Sequence, residues 1–400
     1  MKPPRLSRRS TAHSRIGVAI ALYAFIAIGS AEGGLGVLLP SIWTTYGISP
    51  ATVTLLFISQ ITGYVVAAFS SSVISQRLGL ARMLLVAALT LAIALLTYAL
   101  SPVWSVMVIA GTLLGLGIGL IDAGINTYIA SDQQNATLMG VLHGFYGIGA
   151  LLGPTIATFL LSADWNWRSI YLVFASIVGL LAIAALWAVV TNYRPLTKPI
   201  ATDDHPNAWS SLRQVVRTPV VLVMGLLLLV YVGTEASIGN WAYAVQTIGR
   251  DLPTQTAGYS VSAYWLGLTI GRFALGQFVA RLGAVRVVTL SLLLLLIGLL
   301  CWWQLPQVWL SLPLIGFALA AIFPTTIWLV PQRVAPAIVP AAIGLITSVA
   351  SLGAAIIPTS VGWIADRAGL EQIPALMLLL AIGLLALHAW LVQRPAKSLP

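Results

Sequence analysis

Charge is scarce in this chain. Asp, Glu, Lys and Arg make up 8% of its 400 residues, and only ten residues are acidic. Soluble domains carry about 25% charged residues, so that class is excluded. Cysteine is nearly absent too. The single Cys301 excludes an internal disulfide framework and a thiolate metal site, and it reads as a small apolar residue within a helix. Catalytic signatures are also missing: there is no H-E-x-x-H and no G-x-S-x-G, and one aspartate lies inside an apolar stretch where an aspartyl site needs two. No enzyme activity, catalytic residue, metal or cofactor is therefore expected.

What the chain has is hydrophobic length. Apolar residues make up 59% and the mean hydropathy is +0.97. About 20 apolar residues at about 1.5 Å rise cross a hydrocarbon core of about 30 Å. Twelve such stretches are expected, near 16–39, 52–75, 83–100, 104–130, 137–162, 169–192, 219–246, 256–280, 287–304, 309–331, 337–364 and 373–392. The fold class predicted is an all-α membrane protein.

The formal charge of +10 invites a nucleic-acid reading, and its placement decides against one. With the N-terminus inside, sixteen basic residues fall in cytoplasmic segments, among them Lys2, Arg5, Arg8, Arg9, Arg77, Arg82, Arg281 and Arg286. Outer loops hold three, Arg168, Arg250 and Arg367. That asymmetry predicts an even number of spans and both termini in the cytoplasm of a cell-membrane protein. The basic start followed by an apolar run also resembles a signal peptide, but the run is too long for an h-region and carries Glu32, so it is expected to remain as the first span.

A shift of 204 residues lays the chain on itself. Gly63 meets Gly267, Arg77-Leu78-Gly79 meets Arg281-Leu282-Gly283, Gly149 meets Gly353 and Pro154 meets Pro358. The polar stretch around Pro195, Asp203 and Pro206 divides the spans six and six. The expected organisation is a tail (1–15), a six-helix bundle (16–193), a cytoplasmic linker (194–218), a second six-helix bundle (219–392) and a tail (393–400). Duplicated membrane bundles hold their substrate between the halves.

Twelve spans in two pseudo-symmetric halves, with R-L-G-x-x-R turns at 77–82 and 281–286, resemble the major facilitator superfamily. That family's loop pattern, G-x-x-x-D-R-x-G-x-x-R, is altered here: Ser72 and Gln76 replace its glycine and aspartate, and Ala280 replaces the second aspartate. Several strings resemble the fucose/glucose permease branch: Glu32-Gly33-Gly34, Asp122 to Tyr128, His143-Gly-Phe-Tyr146, Tyr231 to Glu235 with Gly239-Asn240-Trp241, and Phe323-Pro324-Thr325-Thr326. The resemblance implies a sugar symporter with acidic residues in the first and fourth spans, here Glu32 and Asp122.

The residues support a site independently of that resemblance. Glu32, Asp122 and Glu235 lie mid-span, where a charge costs at least a few kcal/mol and the side chain faces a cavity, a partner or a proton. Glu32 and Asp122 are the expected proton carriers. Asn126 shares a helix face with Asp122, and Tyr146 with His143. Glu235 and Asn240 sit about 140° apart at about 100° per residue, so both facing the cavity is expected to need a helix break at Gly239. Expected substrate contacts are Asn126, His143, Tyr146, Glu235, Asn240, Trp241, Gln60, Tyr264 and Trp265, with the aromatic rings stacking on sugar C–H faces. Arg77 and Arg281 are expected gating residues, as is Arg272, the one arginine within a span, either as an interfacial anchor or as a cytoplasmic ion pair.

Gly111, Gly115, Gly117 and Gly119 mimic a dinucleotide loop, but no strand precedes them, so they read as close helix packing. Gly140, Gly149, Gly153 and Pro154 match a fifth-span motif of drug/proton antiporters, with Gly353 and Pro358 in the other half favouring a packing role. The function expected is alternating-access transport of a small polar solute, foremost a sugar, coupled to protons, by a monomer in the lipid bilayer with no nucleic-acid partner. A proton-driven drug exporter and a sodium-coupled sugar carrier are the alternatives.

Overall fold

The computed structural model describes residues 14–130, 136–197, 213–305 and 308–394, which are helical apart from short connections. The first half contains α1 (Arg15–Gly33), α2 (Leu35–Tyr46), the single turn α3 (Pro50–Val53), α4 (Leu55–Leu78), α5 (Leu80–Leu100), α6 (Trp104–Ala130), α7 (Ala136–Ser162) and α8 (Trp167–Val190). After the short α9 (Arg194–Thr197) come α10 (Pro219–Ala244), α11 (Thr254–Leu282), α12 (Ala284–Gln304), α13 (Val308–Leu319), α14 (Ile322–Leu329), α15 (Val339–Ala368) and α16 (Ile373–Gln393). The expected tail at 1–13, the linker core at 198–212 and the end at 395–400 lie outside the described residues.

Eleven of the helical segments described are long and apolar enough to cross a membrane. The remaining long helix, α11, has 29 residues and carries Gln255, Arg272, Gln277 and Arg281. Twelve crossings place Arg15 and Gln393 on one face, the termini side; the opposite face is the far side.

Two spans depart from the single helices expected. The first is bent at Gly34 into α1 and α2, and it runs on to Tyr46, past the expected end at residue 39. The tenth breaks at Ala320–Ala321 between α13 and α14. Pro324 accounts for that break, because a proline ring clashes with the carbonyl four residues earlier, here that of Ala320. The break expected at Gly239 is absent: α10 runs unbroken through it, and the irregularity comes later, as a π turn over Val245–Gly249.

The duplicated R-L-G turns have the same geometry. Gly79 ends α4 at φ 76° and Gly283 ends α11 at φ 80°, a region that side-chain-bearing residues avoid. The duplicated glycines within spans serve close packing. A Cβ on Gly63 would strike the Thr112 carbonyl of α6, and one on Gly267 the Pro313 carbonyl of α13. Gly149 and Gly153 press on the Ile26 and Ser30 carbonyls of α1, while Gly353 presses on the Leu229 carbonyl of α10. Gly111, Gly115, Gly117 and Gly119 likewise meet α4 and α5.

On the far side, arginines cap the last carbonyls of the third and ninth spans. Arg168 Nη1 donates to the carbonyls of Ser101 (2.6 Å), Tyr98 (3.4 Å) and Ala99 (3.5 Å). Arg250 Nη2 donates to those of Trp302 and Trp303, which the 204-residue shift maps onto Tyr98 and Ala99. Carbonyls at a helix end need a donor. Arg168→Ala is therefore expected to cost about 1.5–3 kcal/mol. A thermal-unfolding midpoint lowered by several degrees in detergent, and partly restored by Arg168→Lys, checks this.

Candidate functional site

A cavity of about 360 Å³ lies between the halves, lined by residues from α1, α2, α4, α6, α7, α10, α11 and α15. The sequence puts polar groups at these places by helix periodicity. On α10 the lining residues are Val232, Glu235, Ala236, Gly239 and Asn240, a single face in which Glu235 and Asn240 occupy the two edges. An arc of about 140° thus meets the cavity without any break in the helix.

The first half supplies two carboxyls. Glu32 Oε2 accepts a hydrogen bond from the Tyr146 hydroxyl at 2.9 Å. Asp122 accepts one from the Tyr64 hydroxyl at 2.7 Å and one from Asn126 Nδ2 at 2.8 Å. Asp122 therefore has both oxygens engaged, while Glu32 keeps Oε1 without a partner among the described residues.

The second half supplies an ion pair. Arg272 Nη2 lies 3.5 Å from Glu235 Oε1, with side-chain exposures of 22% and 15%. The Tyr231 hydroxyl donates to Glu235 Oε2, and the Tyr264 hydroxyl donates to the Glu235 backbone carbonyl at 3.1 Å. Three carboxyls against one guanidinium make the cavity net negative whenever Glu32 and Asp122 are ionised.

Between these clusters lie polar groups with unused hydrogen-bonding capacity. Trp265 Nε1 is buried without a partner among the described residues. Asn240 and His143 line the same space and make no side-chain hydrogen bond among the described residues, His143 resting edge-on against Phe25 at 5.6 Å. Gln60 completes the ring, with Nε2 at 3.5 Å from the Tyr98 hydroxyl. Such groups over an otherwise apolar wall suit a small hydroxyl-bearing solute.

The cavity is sealed on the far side. Gly36 of α2 lies against the Gly239 carbonyl and Asn240 of α10. Trp43 stacks on Trp241 at 6.2 Å, Phe57 meets the same indole edge-on, and Gly362 of α15 abuts Thr54 and Trp241. Thr155 of α7 hydrogen-bonds Ser262 of α11 at 3.0 Å. Toward the termini side, Ser72 and Gln76 of α4 and Gly344 and Ser348 of α15 are exposed.

A family model for the Major Facilitator Superfamily matches residues 20–247 and 236–400. The chain belongs to that superfamily. This facilitator is 27% identical over 399 residues to the Saccharomyces cerevisiae bypass of stop codon protein 6, covering 90% of this chain and 79% of that one. It is 23% identical over 346 residues to the Bacillus subtilis glucose/mannose transporter GlcP, covering 85% of each. Among solved structures it resembles the nucleoside transporter NupG, with TM-score 0.75 and 16% identity over 94% of this chain and 98% of that one. The protein is a multi-pass membrane transporter of this superfamily and not an enzyme, and the GlcP relative accords with the fucose/glucose permease resemblance.

Of the residues expected at the site, Glu32, Gln60, Asp122, His143, Tyr146, Glu235, Asn240, Trp265 and Arg272 of the facilitator come together on the cavity wall. Five others sit elsewhere or act indirectly. Trp241 is fully buried in the far-side seal, its Nε1 donating to the Pro358 carbonyl at 3.1 Å. Tyr264 is buried behind Glu235, and Asn126 reaches the cavity only through Asp122. Arg77 and Arg281 are exposed in the last turns of α4 and α11, away from the cavity. Of the two expectations for Arg272 the structure has the ion pair and not the interfacial anchor: it pairs with Glu235 inside the cavity. Tyr64 and Tyr231 were not anticipated. The signal was present, since Tyr64 lies four residues after Gln60 and Tyr231 four before Glu235, one helical turn in each case.

Proposed function

We propose that this facilitator is a proton-coupled symporter of a small neutral polar solute, foremost a monosaccharide, in the cell membrane with both termini cytoplasmic. The observation that carries the reading is the joint presence of Glu32 and Asp122 with the unpaired donors and acceptors of His143, Asn240 and Trp265 on one cavity wall. Protonating Glu32 and Asp122 leaves Arg272 and Glu235 to balance each other, so a cavity holding a neutral solute closes without net charge. A cavity that holds solute while both carboxyls are still ionised resists that closure, because uncompensated charge in a low dielectric is costly, whereas the empty ionised cavity keeps water around its carboxylates and returns. The GlcP relative is named for glucose and mannose, which supports a hexose.

The efflux reading rested on the fifth-span glycines. Gly149 and Gly153 pack α7 on α1 as Gly353 packs α15 on α10, so this packing is common to both halves and needs no antiport mechanism. A sodium-coupled carrier would use the same carboxyls, and the ion is a matter for measurement. In proteoliposomes with an inward proton gradient, uptake of radiolabelled hexoses is expected to exceed the no-gradient level at least tenfold and to persist without sodium. Uptake driven by a sodium gradient alone would replace the proton with sodium. Absence of hexose uptake together with gradient-driven dye extrusion would reverse the direction.

A further inference from the structure

We infer that Tyr146 and Arg272 form a relay across the boundary between the halves, reporting the protonation of Glu32 to Glu235. The inference rests on the proton-coupled reading above. Glu32 and Tyr146 belong to α1 and α7 in the first half, and Arg272 and Glu235 to α11 and α10 in the second.

The two halves cross closely at this depth. A Cβ on Gly144 of α7 would come within 2.5 Å of the Phe273 ring, and one on Gly147 within 2.6 Å of the Thr269 hydroxyl. Tyr146 and Arg272 flank that crossing. The Tyr146 hydroxyl bonds Glu32 at 2.9 Å and interacts electrostatically with both Arg272 and Glu235. The Arg272–Glu235 contact of 3.5 Å is long beside the roughly 2.7–2.9 Å of a well-formed charge-assisted bond, and the Tyr231 hydroxyl bonds the same guanidinium. A guanidinium has five N–H donors, so one of them can turn to a new partner while these contacts are kept.

A phenol has one proton to donate and two lone pairs to accept with. With Glu32 ionised, the Tyr146 proton points to the carboxylate and the phenol oxygen is left to accept from Arg272. That contact draws the guanidinium of the second half toward the first. With Glu32 protonated by a proton from solution, the carboxylic acid donates to the Tyr146 oxygen. Tyr146 then turns its own proton toward Glu235, and Arg272 closes on Glu235. The bridge exists in one protonation state and dissolves in the other, which biases the rocking of the halves. The remaining titratable groups facing this chain are otherwise placed. Asp122 of α6 is held by Tyr64 of α4 and Asn126, Tyr231 of α10 is shared by Glu235 and Arg272, and Tyr264 of α11 bonds the Glu235 carbonyl. His143 of α7, one turn before Tyr146, also senses Arg272 but is not hydrogen-bonded to Glu32.

The test compares wild type, Tyr146→Phe and the double variant Glu235→Gln/Arg272→Gln in proteoliposomes, using radiolabelled D-glucose and D-mannose. Exchange without a gradient and accumulation under a proton gradient are both read, with thermal unfolding as the folding control. Tyr146 also lines the sugar site, so Tyr146→Phe is expected to raise the KM of exchange, to keep exchange at saturating sugar with a pH profile flatter than that of wild type, and to lose accumulation altogether. The double variant, with its pair neutral and its shape kept, is expected to behave the same way. If a stably folded Tyr146→Phe accumulates sugar like wild type, or loses exchange along with accumulation, the relay is wrong. Should Tyr146→Phe not fold, wild-type accumulation by the double variant overturns the relay, and its loss with exchange retained supports it. Wild type that never accumulates hexose under a proton gradient refutes the symport reading first, and the relay with it.

Discussion

Glu32→Gln is expected to reduce gradient-driven accumulation to none while facilitated exchange continues. The two side chains are nearly isosteric, and the amide can still receive the Tyr146 hydroxyl, which lies 2.9 Å from Glu32 Oε2. What disappears is the group that can be charged in one half of the cycle and neutral in the other. A coupled proton contributes about 1.36 kcal/mol for each pH unit of gradient. A gradient of about two units therefore sustains up to about a hundredfold accumulation for each coupled proton, against a ratio near one for the variant. Asp122→Asn is expected to give the same result, because the empty cavity in this mechanism carries both charges. Its amide can be accommodated by Tyr64 and by a flipped Asn126, the two groups that bond Asp122 in the native protein. The comparison is made as the ratio of internal to external labelled hexose at steady state, alongside counterflow in the same vesicles. Uphill accumulation retained by both variants would remove the carboxyls from the coupling mechanism.

The fold was legible because its determinants are local or repeated. Apolar length marks a span whatever surrounds it, and the pairs Gly63/Gly267 and Gly79/Gly283 announce two halves, since each pair meets the same local requirement twice. The carboxyls of the site were legible for a similar reason: Glu32, Asp122 and Glu235 are out of place in a bilayer core unless something receives them. Legibility ended where a role depends on depth and on a partner from another helix. Trp241 follows Asn240 directly but lies about 100° further around α10, which turns it from the cavity edge into the far-side seal against Trp43 and Phe57. Arg272 reads from the sequence as either an interfacial anchor or an ion pair, and its partner Glu235, 37 residues away, becomes visible only when α10 and α11 are set side by side. The tyrosines at 64 and 231 are ordinary span residues by type, and their part in holding Asp122 and Glu235 comes from hydrogen bonds that composition does not encode.

A side chain placed on Gly36 is expected to stop transport by keeping the far side from closing. In the described state the ideal Cβ position at residue 36 overlaps the Gly239 carbonyl and lies 2.9 Å from Asn240 Cα and 3.1 Å from its carbonyl oxygen. These are backbone atoms of an unbroken helix, so no rotamer change relieves the overlap and α2 must move away from α10. Overpacking of this kind costs about 1–3 kcal/mol. In a two-state carrier the whole penalty falls on the state in which α2 and α10 touch, and about 3 kcal/mol shifts the balance by about 150-fold. Gly36→Leu should therefore populate the state open on the far side, bind substrate offered from that side and fail to release it on the other, with turnover reduced about a hundredfold. Gly36→Ala should fall between it and wild type. Spin labels at Trp165→Cys and Glu371→Cys in a Cys301→Ser background report the change, since both positions are exposed and lie in far-side connections of opposite halves. The distance distribution is expected to lengthen in Gly36→Leu and to be insensitive to substrate. An unchanged distribution with turnover lost would mean that the glycine is needed for packing within the first half, and that the far-side seal is set by the Trp43–Trp241 contact instead.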